Sequence, residues 1–157
     1  MATLEEAFDV VSTKFGISSL NEQQKAGIRQ IVEGGKDVFV NLPTGFGKSL
    51  LYQALPLVFD HTRQEPGHIV VVVSPLISLM EDQVSRLNEL GLKAVNISGL
   101  VEEDKRTLVE SGGYSLVYGS PEAWLKNERW RSMLVNPVYK KKLCAIAVDE
   151  AHVIRQW

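Results

Sequence analysis

The chain has 157 residues, enough for one domain with a core of its own. Its 45% hydrophobic and 23% charged content is that of a globular protein, and a formal charge of −2 leaves only local patches to attract nucleic acid. The acidic N-terminus, one cysteine and a longest aliphatic run of Ile69 to Val73 exclude a signal peptide, an internal disulfide and a bilayer span, pointing to a soluble intracellular protein.

Leu4, Ala7, Phe8 and Val11 fall at i, i+3, i+4 and i+7, predicting a helix that ends near Gly16. Asn21 caps a second, with Ile28, Ile31 and Val32 inward and Gly34-Gly35 as its stop. DVFVN (37–41) predicts a short strand running into LPTGFGKS. Leu51, Ala54, Leu55 and Val58 mark the inward face of the next helix. HIVVVVS (68–74) is a β-branched run closed by Pro75, as suits a parallel strand covered on both faces. A helix over 77–90, a strand over 93–98, a helix over 101–110 and a strand over 114–120 follow. Ser120-Pro121 supplies the cap and first turn of a helix to about Leu134, and LCAIAVD (143–149) forms the last strand. Strands alternating with helices predict an α/β fold with a mainly parallel sheet, helices on both faces and right-handed crossovers. No repeat or linker interrupts the pattern. Between Lys126 and Lys142, six Lys/Arg stand against one acid, Glu128. That run reads either as a solvated face or as a patch for nucleic-acid phosphates.

A phosphate-binding loop needs a strand to launch it, glycines that let backbone N–H groups close on oxygens, and a helix N-terminus behind it. NLPTGFGKSL (41–50) meets all three needs. Gly45 and Gly47 form the cradle, with the Thr44 hydroxyl added. Lys48 is placed to reach the β- and γ-phosphates, and the Ser49 hydroxyl to ligate Mg²⁺. The strict pattern asks for glycine where Leu42 stands; Pro43 can make the turn instead. The other half of such a site is an acid at the C-terminal end of another strand. AIAVDEAH (145–152) supplies it: Asp149 to hold Mg²⁺ through its water shell, Glu150 to accept the proton of the attacking water. The pairing predicts nucleoside triphosphate hydrolysis.

PTGFGKS (43–49) with DEAH (149–152) resembles motifs I and II of superfamily-2 helicases. VVVSPLISLMEDQV (71–84) resembles motif Ia of the RecQ family of DNA helicases, unlike the RNA-directed families. FGISSLNEQQKAGI (15–28) is similar to that family's motif 0, VYGSPEAW (117–124) to its motif Ib, and DEAHVIRQW (149–157) to its motif II run. The resemblance covers essentially the whole chain, in order. It implies a RecA-like P-loop NTPase domain over 1–157, incomplete at the C-terminus, from a 3′→5′ ATP-dependent DNA helicase of repair and recombination. ATP and Mg²⁺ would be its cofactors. Single-stranded DNA and duplex junctions would be its partners, without a membrane, in the nucleus if the source is eukaryotic and otherwise in the cytoplasm or nucleoid. Gln24 would read the adenine edge, or serve as the capping-box partner of Asn21. Ser74, Pro75, Leu76 and Ser78, with Ser120, Pro121 and Glu122, would lie along one DNA strand, or simply end strands and cap turns. His152 would couple the nucleotide and DNA sites, and Trp157 would open an aromatic loop that senses single-stranded DNA.

Departures from the family are Leu20-Asn21, where an arginine usually stands beside the aromatic residue, together with Phe46 and Val153. The first should weaken base contacts. The family's motif III strand would lie between the phosphate-loop strand and the DEAH strand. Without it, both strands would face a hydrophobic slot with unpaired backbone groups, favouring association. Without an arginine finger, the 157-residue chain should bind Mg-ATP weakly and lose about 10³–10⁵ in rate. The alternative reading is a truncated, non-catalytic module that binds nucleotide or DNA.

Overall fold

A computed structural model describes residues 3–34, 39–41 and 48–148. The phosphate loop, the Asp149-Glu150 pair, His152 and Trp157 lie outside them. Helix α1 (Leu4–Phe15) starts at a capping box, Thr3 with Glu6, and stops where Gly16 turns left-handed at φ 70°. Helix α2 (Glu22–Glu33) starts at a second box, Asn21 with Gln24. Strand β1 (Phe39–Asn41) precedes the loop and α3 (Lys48–Gln53) follows it. The helix expected to run on through Val58 instead restarts at Ala54 as α4 (Leu55–Arg63). Pro56 is the reason: it has no N–H to continue the ladder. Next come β2 (Ile69–Val73), α5 (Ile77–Glu89), β3 (Ala94–Asn96), α6 (Glu103–Glu110) and β4 (Leu116–Gly119).

The helix expected from Pro121 to Leu134 is two, α7 (Pro121–Lys126) and α8 (Glu128–Met133). Asn127, extended at φ −97° and ψ 110°, breaks the first and caps the second. Helix α9 (Pro137–Lys142) and strand β5 (Leu143–Val148) complete the described chain.

The five strands are all parallel, in the order β1-β5-β2-β4-β3. Among the described residues, no open slot separates the phosphate-loop strand from its neighbour. Strand β1 lies directly against β5, with Phe39 beside Ile146 and Asn41 beside Val148, so these backbones pair with each other. Pairing satisfies the N–H and C=O groups that a gap would leave orphaned.

Alternation along β2 divides the core in two. Val70 and Val72 face α1 to α5, packing with Phe8, Ile28, Leu55 and Met80. Ile69 and Val71 face the other way, against Val109, Trp124, Trp130 and Tyr139 of α6 to α9. Helices therefore cover both faces, the layering that a continuous β-branched run demands.

Candidate nucleotide and nucleic-acid edge

Because every strand points the same way, all five C-terminal ends share one edge of the sheet. Open α/β sheets bind their ligands there. Asn41 and Val148, register partners, are the last residues before the phosphate loop and before Asp149. The strands that lead into those two segments therefore end side by side. Lys48 is the first residue of α3, and Ser49 beside it is partly exposed. Thr44, Gly45, Gly47, Asp149 and Glu150 lie outside the described residues.

Farther along the edge, Ser74 is buried. Its N–H donates to the Gly119 carbonyl at 3.1 Å, and its Oγ accepts from the Leu76 N–H at 3.4 Å. It fixes the turn out of β2. Leu76 and Ser78 are exposed, Leu76 by 46%. Ser120 is likewise buried: its N–H donates to Ser98 Oγ at 2.8 Å, and its own Oγ accepts from the Ala123 N–H at 3.2 Å, capping α7. Pro121 is buried and Glu122 exposed. The two serines are therefore engaged in holding turns, while Leu76, Ser78 and Glu122 present surface.

Gln24 serves its cap. Its N–H donates to Asn21 Oδ1 at 2.7 Å, and its side-chain carbonyl accepts from the Asn21 N–H at 3.0 Å. Half of the basic run is committed to structure. Arg129 grips Glu103 and Glu110 at 2.7–2.9 Å, and Lys141 and Lys142 both meet Glu65. The two carboxylates hold the Arg129 guanidinium firmly charged.

Sequence reasoning missed a cleft of about 780 Å³ on this edge, lined by Ile77, Ser98, Val101, Arg106, Ser120 and Lys126 among others. Arg106 Nε donates to the Leu100 carbonyl at 2.7 Å and so shapes its wall. Two exposed aliphatics, Ile77 and Val101, were the signal available in the sequence.

Residues 21–157 match the sequence model of DEAD/DEAH box helicases. The chain belongs to that family. Its relatives include the ATP-dependent DNA helicase RecQ of Haemophilus influenzae, 37% identical over 96% of this chain, and that of Bacillus subtilis, 32% identical over 98%. The ATP-dependent helicase wrn-1 of Caenorhabditis elegans is 34% identical over 98%. The helicase chain spans only 23%, 25% and 14% of the length of these three. Among solved structures, the helicase MrfA bound to DNA and AMPPNP superposes with a TM-score of 0.66 over 94% of this chain and 21% of its own, at 22% identity. That likeness establishes the shared RecA-like α/β fold.

Proposed function

We propose that residues 1–157 form the first RecA-like, ATP-binding domain of a RecQ-type DNA helicase, which couples ATP hydrolysis to 3′→5′ unwinding. The observation that carries this reading is the Asn41–Val148 register pair. It launches the phosphate-loop segment and the Asp149-Glu150 segment from adjacent strands on the ligand-binding edge. The relatives' names supply ATP and DNA as ligands.

The donor set fits a magnesium–triphosphate complex: a lysine, a hydroxyl and a carboxylate from two neighbouring strand ends. Lys48 places its charge against phosphate oxygens, while Gly45, Gly47 and Thr44 cradle them. Ser49 would hold the metal, with Asp149 acting through its water shell. Glu150 takes the proton from the attacking water. When bound there, Mg²⁺ would supply charge neutralisation on the transferred phosphoryl group. Gln24 contributes to adenine contact when its capping bond opens. Leu76 and Ser78, with the Glu122 turn, border the DNA path, His152 links the two ligands, and Trp157 begins the DNA-sensing segment.

The test is Lys48→Ala in the full-length protein. ATP hydrolysis and unwinding of a 3′-tailed duplex should fall to background, while binding of a single-stranded oligonucleotide stays within about threefold, since phosphate charge in the nucleotide site is not part of the DNA path. Loss of DNA binding together with hydrolysis would sink the assignment of Lys48.

A further inference from the structure

Behind the ligand edge, four polar side chains meet inside one helix layer. Tyr52 and Gln53 end α3, Gln83 lies midway along α5, and Tyr118 sits on β4. Gln83 Oε1 accepts from the Tyr52 hydroxyl at 3.0 Å, the Tyr118 hydroxyl at 2.8 Å and Gln53 Nε2 at 3.2 Å. Gln53 Nε2 also donates to the Tyr118 hydroxyl at 3.0 Å. The tyrosine rings meet edge to face, with centroids 6.4 Å apart. Both tyrosines are 1% exposed and Gln53 is 7% exposed.

The hydrolytic chemistry uses none of these groups. Aliphatic side chains could fill the same space without needing aligned partners. A bonded polar cluster differs from them in one respect: it tolerates little sliding. A displacement of about an ångström takes a hydrogen bond beyond useful range and leaves a buried polar atom unpaired. Apolar contacts would absorb the same slide.

The members sit where such stiffness matters. Tyr52 and Gln53 lie one helical turn beyond Lys48 and Ser49. Gln83 belongs to the helix whose first turn holds Ser78 and which follows Leu76 directly. Tyr118 precedes Ser120 by two residues. The cluster thus joins the base of the nucleotide helix to the bases of both DNA-facing turns.

We propose that Tyr52, Gln53, Gln83 and Tyr118 are positioning residues that couple nucleotide occupancy at the start of α3 to DNA affinity at the start of α5 and the end of β4. The proposal rests on the functional reading above. Nucleotide that shifts α3 must move α5 and β4 with it or break the cluster. Linkage then requires DNA to change nucleotide affinity by the same factor.

In the full-length protein, the dissociation constant of a fluorescent oligodeoxythymidylate is measured with and without AMPPNP–Mg²⁺, and that of a fluorescent nucleotide with and without DNA. The parent should show reciprocal factors in the range of about 5–150. In Gln83→Met and Tyr118→Phe, each ligand alone should bind within about twofold of the parent while the coupling factor falls close to one. Gln83→Glu keeps the accepting oxygens and should retain coupling. If Gln83→Met fails to fold, Tyr52→Phe and Tyr118→Phe, which each delete one oxygen, decide the matter.

Undiminished coupling in the variants, or a parent that binds both ligands without coupling, overturns the proposal. So does parallel loss of both separate affinities with a lowered Tm, which marks a merely structural role. A parent that binds neither ligand refutes the functional reading itself.

Discussion

Cys144 shows how much a single residue's surroundings decide. Its Sγ donates to the Ile69 carbonyl at 3.3 Å, and burial pushes the thiol up to about 12. It should therefore resist iodoacetamide at pH 8 in the native protein and react fully in urea; mass spectrometry distinguishes the two. The raised value also sets a sign. Its contribution to stability is complete below the usual thiol range and is lost as pH climbs from about 9 to about 12. Gly119 poses the opposite question, one of space. A Cβ there would come within 2.6 Å of Trp124 Nε1 and 2.9 Å of Ile97 Cγ1. Trp124 is buried and cannot swing away, so Gly119→Ala should cost about 1–3 kcal/mol in urea unfolding. The Gly119 contact was not legible in the sequence, because Ile97 and Trp124 reach it from positions 22 residues before and 5 residues after it. Gln24 allowed two roles in the sequence, and the capping role is the one its hydrogen bonds display.

Elements were easiest to read where a cap and a periodic face coincided, as in α1 and α2. Helix α9 was missed although its signal was present. Asn136 accepts from the Tyr139 N–H at 2.9 Å and Pro137 takes the first turn, but six residues give no periodicity to notice. The α7–α8 break was hidden because Trp124, Trp130 and Met133 all face one core. Helix α8 is tied to α6 by Arg129. Its hydrogen bonds, together with its charge, hold the Glu103 carboxyl below its ordinary 4.5. A depressed carboxylate stabilises above its ordinary range and loses that contribution as pH falls through the folded-state value. Arg129→Gln should therefore flatten the stability profile below about pH 4.5, as followed by chemical denaturation at a series of pH values. Exposure of Glu103 keeps the effect small and sensitive to salt.

At the scale of the molecule, the parallel α/β plan and its two-sided layering could both be read from the alternation of β-branched runs with amphipathic stretches. Neighbour relations could not, since pairing partners leave no local mark; hence the β1–β5 contact where a slot was expected. The cores on the two faces share the same strands, β2 above all. Trp130→Ala, at a 1% exposed site, should therefore lower the entire transition by about 3–5 kcal/mol, with near- and far-UV circular dichroism still superimposing. Two separated transitions would show that the faces unfold independently. Among the described residues strand β1 sits at the sheet's margin, and its neighbour β5 is made roughly a hundred residues later. On a ribosome adding about 5–20 residues per second, the nascent chain holds that strand without its mate for on the order of 5–20 s. Strand β1 is thus among the last parts of this chain to gain its backing, which arrives only when synthesis has passed residue 148.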